Sequence, residues 1–231
     1  MKPSFFVCGI VRNEPEKFRT NYDLLRKYFD DKGWDVYWYF YENDSTDNVV
    51  EVMQECADEN PNFHFDSEVL GERKFGHVEC PVRARHMCKC RNKYLERLAS
   101  LDYAFDYMLL VDIDLDELST EHIETAMSYN ADMVGANGRM IYGNRHIYYD
   151  QWALYGCSWG EASLLGSQSE KVKVTSCFGG MGLYKCSSLR DCWYDPKVNH
   201  IRYADHGTLH EAMIEAGHSE MYICPPWITW S

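Results

Sequence analysis

The chain has 231 residues, enough to bury one sizeable core, and doubly wound sheets of this length commonly stay a single domain. Its 23 lysines and arginines face 36 aspartates and glutamates, and the resulting formal charge of -13 repels a polyanion, which argues against a nucleic-acid partner. An acidic protein that binds a diphosphate must offset that repulsion locally, with placed arginines or a divalent cation. The ten cysteines are scattered, among them Cys8, Cys56, Cys88, Cys90, Cys157 and Cys224, and no C-x-x-C occurs. They read as buried free thiols rather than a disulfide framework or a zinc ribbon.

Taken in chain order, apolar strand patterns alternate with amphipathic helix patterns, the mark of an α/β fold with a mostly parallel central sheet flanked by helices. The first apolar run, 4–11, passes into Arg12-Asn13-Glu14 without a small-residue cleavage site, so it reads as a buried strand and not a signal peptide. Pro15 then sits in the first turn of a helix whose apolar stripe is Leu24, Leu25, Tyr28 and Phe29. A second strand is expected over 34–41, followed by Asp44-Ser45-Thr46-Asp47 as cap residues for a helix carrying Val49, Val50, Val52 and Met53. A short strand fits 63–69, a long helix 83–101, and a buried strand 107–111. Another helix (119–128) and strand (131–136) complete the regular part. Residues 138–170 crowd Tyr142, Tyr148, Tyr149, Trp152, Tyr155 and Trp159 into a stretch with little periodicity, expected to be a binding surface or lid. No apolar stretch approaches the ~20 residues that cross a bilayer, so a cytoplasmic protein without a transmembrane segment is expected.

The strongest chemical signal is Asp112-Ile113-Asp114, directly after the apolar strand 107–111. Open parallel sheets bind ligands outside the carboxyl ends of their strands. Two carboxylates one residue apart can there hold a hard divalent cation that bridges a diphosphate; an acidic loop capping the next helix is the plain alternative. Glu42 and Asp44 end the second strand, where they can accept hydrogen bonds from a nucleoside or simply cap a helix. Arg85 and Arg91 lie on the long helix, about 600° of rotation apart, and so do not share one face. A guanidinium suits a diphosphate because it binds oxygens bidentately and keeps its charge.

Gly179 and Gly180 open a Gly-Gly-Met-Gly stretch that permits either close approach of backbone to a ligand or a tight turn. Asp205 and His206 precede a helix bearing His210 and Glu211. Asp205 can serve as a general base or as an N-cap; His206 can contact metal or phosphate, or be a structural histidine.

Read together, Ile10-Val11-Arg12-Asn13-Glu14, Tyr41-Glu42-Asn43-Asp44-Ser45-Thr46-Asp47, Arg91-Asn92, Asp112-Ile113-Asp114, the Gly179-Gly180-Met181-Gly182 loop and Asp205-His206 resemble GT-A glycosyltransferases. The likeness spans about residues 4–226 and is nearest to the fungal capsule-associated mannosyltransferases and their relatives in large DNA viruses. The resemblance implies one Rossmann-like GT-A domain over 1–231, with a nucleotide-binding part at about 1–136 and an acceptor-side part at about 137–231. It also implies a nucleotide-sugar donor, a glycan or protein-linked acceptor, and Mn²⁺ or Mg²⁺. Asp112 and Asp114 match its metal motif, with His206 a further candidate ligand; Asp44 matches the nucleoside-side acid and Arg91 the phosphate-side arginine. Arg12, Glu42, Arg85, Gly179 and Gly180 complete the expected donor site, and Asp205 is the expected catalytic base. The capsule likeness points to GDP-mannose, whereas UDP-sugars are common with a plain D-x-D. A nucleotidyltransferase is the competing enzyme class, although the first strand's loop lacks its glycines; a carbohydrate-binding module would not need the carboxylate pair.

Overall fold

The computed structural model describes residues 2–72, 75, 80–157, 171–195 and 205–231. Its first half follows the expected alternation: β1 (Ser4–Val11), α1 (Pro15–Lys32), β2 (Asp35–Asn43), α2 (Val49–Glu59), β3 (Phe63–Glu68), α3 (Pro81–Ser100) and β4 (Tyr107–Val111). The second half adds α4 (Ile123–Ser128), the hairpin β5 (Met133–Tyr142) and β6 (Arg145–Tyr148), β7 (Val172–Lys173), β8 (Met181–Lys185), α5 (Asp205–Glu215) and β9 (Met221–Trp230). The sheet runs β3-β2-β1-β4-β8-β5-β9-β7, with β6 attached to β5. The pairs β1–β2, β1–β4, β2–β3 and β5–β9 are parallel, while β8 lies antiparallel between β4 and β5. This is the expected mostly parallel central sheet flanked by helices.

Alternation along β1 sends Phe5 and Val7 to one side and Phe6 and Cys8 to the other, and all four are fully buried. A strand covered on both faces reads as the continuous apolar run seen in the sequence. On the Phe5 side lie Phe18, Tyr22, Leu25 and Phe29 of α1 with Met53 of α2; on the Phe6 side lie Tyr94, Leu95 and Leu98 of α3 with Leu209 and Met213 of α5. Burying each such side chain stabilises the fold by about 1.5–3 kcal/mol. Leu24, expected in the stripe of α1, is 41% exposed, and Phe18 and Tyr22 take the core positions instead.

Two elements differ from expectation and a third was not anticipated, for tertiary reasons. The helix expected over 119–128 begins only at Ile123, because Glu117 pairs with Trp230 and the Ser119 carbonyl accepts from the Trp227 indole, which keeps this segment extended. The strand expected to stop at 136 continues to Tyr142 because β6 folds back on it. Strand β9 carries Pro225 and Pro226, which read against a strand, yet its register to β5 jumps from Cys224↔Ala136 to Ile228↔Asn137, so the prolines sit in a bulge that needs no ladder donors. Eight of the ten cysteines are buried. Among the described residues no helix is long and apolar enough to cross a membrane.

Candidate active site

The chain order reverses direction at β1: β2 lies on one side of it and β4 on the other, and all three strands are parallel. Their carboxyl ends, Val11, Asn43 and Val111, therefore open on one edge at a topological switch point, where such sheets bind ligands. A cleft of about 250 Å³ lies there. Val11, Arg12 and Asn43 line it from the strand ends, Asp112 and Asp114 from the end of β4, and Arg83, His86, Cys90 and Arg91 from α3. Tyr149, Asp150, Trp152 and Asp205 close the other wall. A roomier depression, about 520 Å³ around Lys2, Phe105 and Lys185, lies at the opposite edge and contains none of the expected site residues.

Arg91 organises the cleft. It belongs to the buried stripe of α3, with Ala84, Cys88, Tyr94, Leu95 and Leu98, and is 4% exposed. Its Nε donates to Asp205 Oδ2, and its Nη2 lies 3.5 Å from Asp112 Oδ1. Its Nη1 is buried with no hydrogen-bond partner among the described residues. A guanidinium donor left bare in a buried site is costly, and an anionic ligand would satisfy it. Burial pushes the Asp112 carboxyl up to about 7; Arg91 opposes this, and the charges of Asp114, Asp150 and Asp205 add to it. The Tyr149 hydroxyl donates to Asp112 Oδ2 at 3.2 Å, and the Asp112 amide donates to the Gly180 carbonyl at 2.8 Å.

The β1 and β2 ends are laced together. Asn13 and Glu14 adopt left-handed φ of 64° and 63°, which turns their amides onto Ser45 Oγ and Asp47 Oδ2 at 2.9 and 3.0 Å. Arg12 donates from Nη2 to the Glu72 carbonyl at 2.6 Å, and its buried Nε has no partner among the described residues. Asp44 receives the Gly71 and Glu72 amides at 2.8 and 3.1 Å. Desolvation alone would raise its carboxyl; the hydrogen bonds from Asn43 and from these amides outweigh it and hold the group below its ordinary range. Glu42 is 2% exposed and accepts from the Ser45 amide and the Ser67 hydroxyl, so it braces the loop from behind and does not line the cleft.

Several expected residues take other positions. Arg85 does not line the cleft, whereas Arg83 does. Arg83 is eight residues before Arg91, about 80° away in helical phase, and shares the stripe of His86, Met87 and Cys90; Arg85 is about 120° round the other side. Gly179 and Gly180 have φ of 70° and 79° and form the turn into β8. A Cβ on Gly179 would lie 2.1 Å from the Ala136 carbonyl, and one on Gly180 2.9 Å from the Leu115 side chain, so both serve close packing, and the Gly180 carbonyl holds Asp112 through its amide. His206 is 1% exposed, stacked on Phe178 at 3.9 Å between ring centroids, and lies behind the cleft wall. Burial first, then the positive charge of Arg91, holds its imidazole neutral; its Nε2 is buried without a partner among the described residues. Asp205, the expected catalytic base, lines the cleft but is 3% exposed and ion-paired with Arg91.

The aromatic segment divides. Tyr142 is 73% exposed on the β5–β6 hairpin and Tyr148 is in the core, while Tyr149 and Trp152 face the cleft; Trp159 lies outside the described residues. Asp150, between them, lines the cleft and was not singled out by sequence, since an aspartate before a short turn reads as a cap.

Among the described residues no three His, Cys, Asp or Glu side chains converge into a ready-made metal cage. The donor set nevertheless fits a hard cation that arrives with its substrate. Asp112 and the exposed Asp114 supply carboxylate oxygens at a strand end, and such ions commonly take one or two carboxylates and complete their shell with phosphate oxygens and water.

No protein-family model matches the chain, and no curated protein matches it. Solved structures do. Across 100% of its length the chain superposes on 57% of the mannosyltransferase PcManGT from Pyrobaculum calidifontis, solved in complex with GDP-Man and Mn²⁺, with a TM-score of 0.59 at 13% identity. It likewise superposes over its whole length on 60% of S. aureus TarS 1–349 in complex with UDP, with a TM-score of 0.59 at 15% identity. The chain thus spans less than two thirds of these solved chains. At such identities the likeness establishes the fold, and it singles out no narrower group such as the capsule-associated enzymes.

Proposed function

We propose that this chain is a glycosyltransferase that moves a sugar from a nucleotide-diphosphate donor, bound with a divalent cation in the cleft at the ends of β1, β2 and β4. The observation that carries the reading is the pair of bare guanidinium donors, Arg91 Nη1 and Arg12 Nε, buried beside the strand-end carboxylates Asp112 and Asp114. Arginines beside aspartates are what a diphosphate and its counter-ion require: the arginines bind phosphate oxygens, and the aspartates hold the cation. The PcManGT complex with GDP-Man and Mn²⁺ and the TarS complex with UDP share this fold and support the choice of ligand.

In this reading Asp112 and Asp114 bind Mn²⁺ or Mg²⁺, with Asp112 held by its amide to Gly180 and its carboxylate by Tyr149. The cation, when bound, neutralises charge on the departing diphosphate. Arg91 orients the diphosphate, and Asp205 fixes the guanidinium plane from behind. Asp44, poised by the Gly71 and Glu72 amides, is the nucleoside-side acid, and Trp152 and Arg83, whose guanidinium carbon lies 5.5 Å from that ring's centroid, form the sugar and acceptor wall. GDP-mannose is the first donor to try, and UDP-sugars the second. The test is calorimetry with GDP and UDP in the presence and absence of Mn²⁺, followed by release of nucleoside diphosphate from the corresponding sugars. Saturable, Mn²⁺-dependent binding of one nucleotide is expected; binding of neither, or release undiminished by chelator, would overturn the reading.

A further inference from the structure

Resting on the glycosyltransferase reading, we propose that Asp150 is the catalytic base: its carboxylate takes the proton of the acceptor hydroxyl as that oxygen attacks the sugar. Among the described residues four carboxylates line the cleft, Asp112, Asp114, Asp150 and Asp205, and geometry commits three of them elsewhere. Asp112 and Asp114 end β4, beside the arginines that would face the diphosphate. Asp205 is ion-paired with Arg91 inside the protein. Protonating it would break the tighter of the two ion pairs of a buried guanidinium and leave it only the 3.5 Å contact to Asp112, a loss that no proton transfer between oxygen atoms would repay.

Among the described residues Asp150 has no such ion pair. Its carboxylate accepts from the Trp152 amide, which reaches Oδ1 at 3.1 Å. That bond fixes the side chain at the start of the Gln151–Ala153 turn, where the residue lines the cleft. Trp152, held by the same turn, also lines the cleft, so base and aromatic wall are set by one short element. Burial raises the Asp150 carboxyl to about 6, with the charge of Asp205 adding to it and the Trp152 amide, Arg83 and Arg91 opposing. A carboxylate so placed is ionised near neutrality yet basic enough to accept a proton.

The step balances as a direct displacement. The acceptor oxygen bonds to the anomeric carbon and its proton passes to Asp150. The bond from that carbon to the β-phosphate oxygen breaks, and its electron pair leaves with the nucleoside diphosphate. The sugar changes anomeric configuration.

The experiment compares wild type with Asp150→Asn and Asp150→Ser, both residues that still cap the turn, using GDP-mannose, UDP-glucose and UDP-N-acetylglucosamine with Mn²⁺ and water as acceptor. Both variants should bind the wild-type donor within about threefold and release its nucleoside diphosphate at least about a hundredfold more slowly. Sodium azide, a nucleophile with no proton to lose, should restore release and give a glycosyl azide. Near-normal turnover by either folded variant, or slow turnover that azide leaves unchanged, would overturn the assignment. A wild type that binds and consumes none of the donors would instead overturn the glycosyltransferase reading, and this one with it.

Discussion

Replacing Arg91 by lysine keeps the charge in the cleft and removes the fork. The guanidinium serves three directions at once: Asp205 through Nε, Asp112 through Nη2 at 3.5 Å, and the cleft through the bare Nη1. An ammonium on a shorter, unforked stem can satisfy one carboxylate but cannot also hold a phosphate oxygen in the same plane. The lost contact is a charge-assisted hydrogen bond worth about 1.5–3 kcal/mol, so the affinity for a nucleoside diphosphate should fall by roughly 10- to 150-fold. Stability should change less, because the buried carboxylates keep a counter-charge; Arg91→Met, which removes it, should cost about 3–5 kcal/mol. Calorimetry with GDP or UDP plus Mn²⁺ reads the first effect, and urea denaturation the second. If Arg91→Lys binds nucleotide within twofold of wild type, Nη1 does not face the diphosphate and the orientation of donor in the cleft is wrong.

Asp114→Asn should leave the melting temperature within about two degrees, since the side chain is exposed and surface changes are usually small, while raising the Mn²⁺ concentration needed for half-maximal nucleotide binding at least tenfold; an unchanged metal requirement removes Asp114 from the site. His210 is fully buried between Ser176 Oγ and Tyr184 OH, and burial depresses its pKa from 6.5 to about 3. The unfolded chain therefore binds the proton first: the stability is whole above about pH 6.5 and is lost as pH falls toward 3, up to roughly 5 kcal/mol in total. Urea midpoints of wild type and His210→Gln at pH 7 and pH 4 check this, and an equal acid loss in both would refute it. Gly179→Ala should destabilise far more than Gly143→Ala. Both glycines have positive φ, which costs alanine about 1–3 kcal/mol, but only at Gly179 would the new Cβ meet backbone, 2.1 Å from the Ala136 carbonyl. Equal losses in thermal melts would mean that the turn into β8 relaxes freely.

By itself the sequence determined what depends on local pattern. The strands β1, β2 and β4 announce themselves because a strand buried on both faces must be apolar throughout, and each stops where charged or amide side chains begin, at Arg12, Asn43 and Asp112. Since ligands of parallel sheets gather at those ends, the position of the candidate cleft was legible, and Arg91, Asp112 and Asp114 line it. What the tertiary structure decided is which groups meet and which are left free. Helical phase selects Arg83 over Arg85, a difference of two residues that turns a side chain from the cleft wall to another face. The insertion of β8 antiparallel between β4 and β5 brings the Gly179-Gly180 turn against Asp112, where of the two readings open to these glycines the tight turn is the one observed. The packing of α5 against α3 ties Asp205 to Arg91 across 114 residues of sequence, while Asp150, in the same cleft, is held by the Trp152 amide. Ion pairing depends on distance in space and on shared burial, and neither is written in the spacing of residues along a chain.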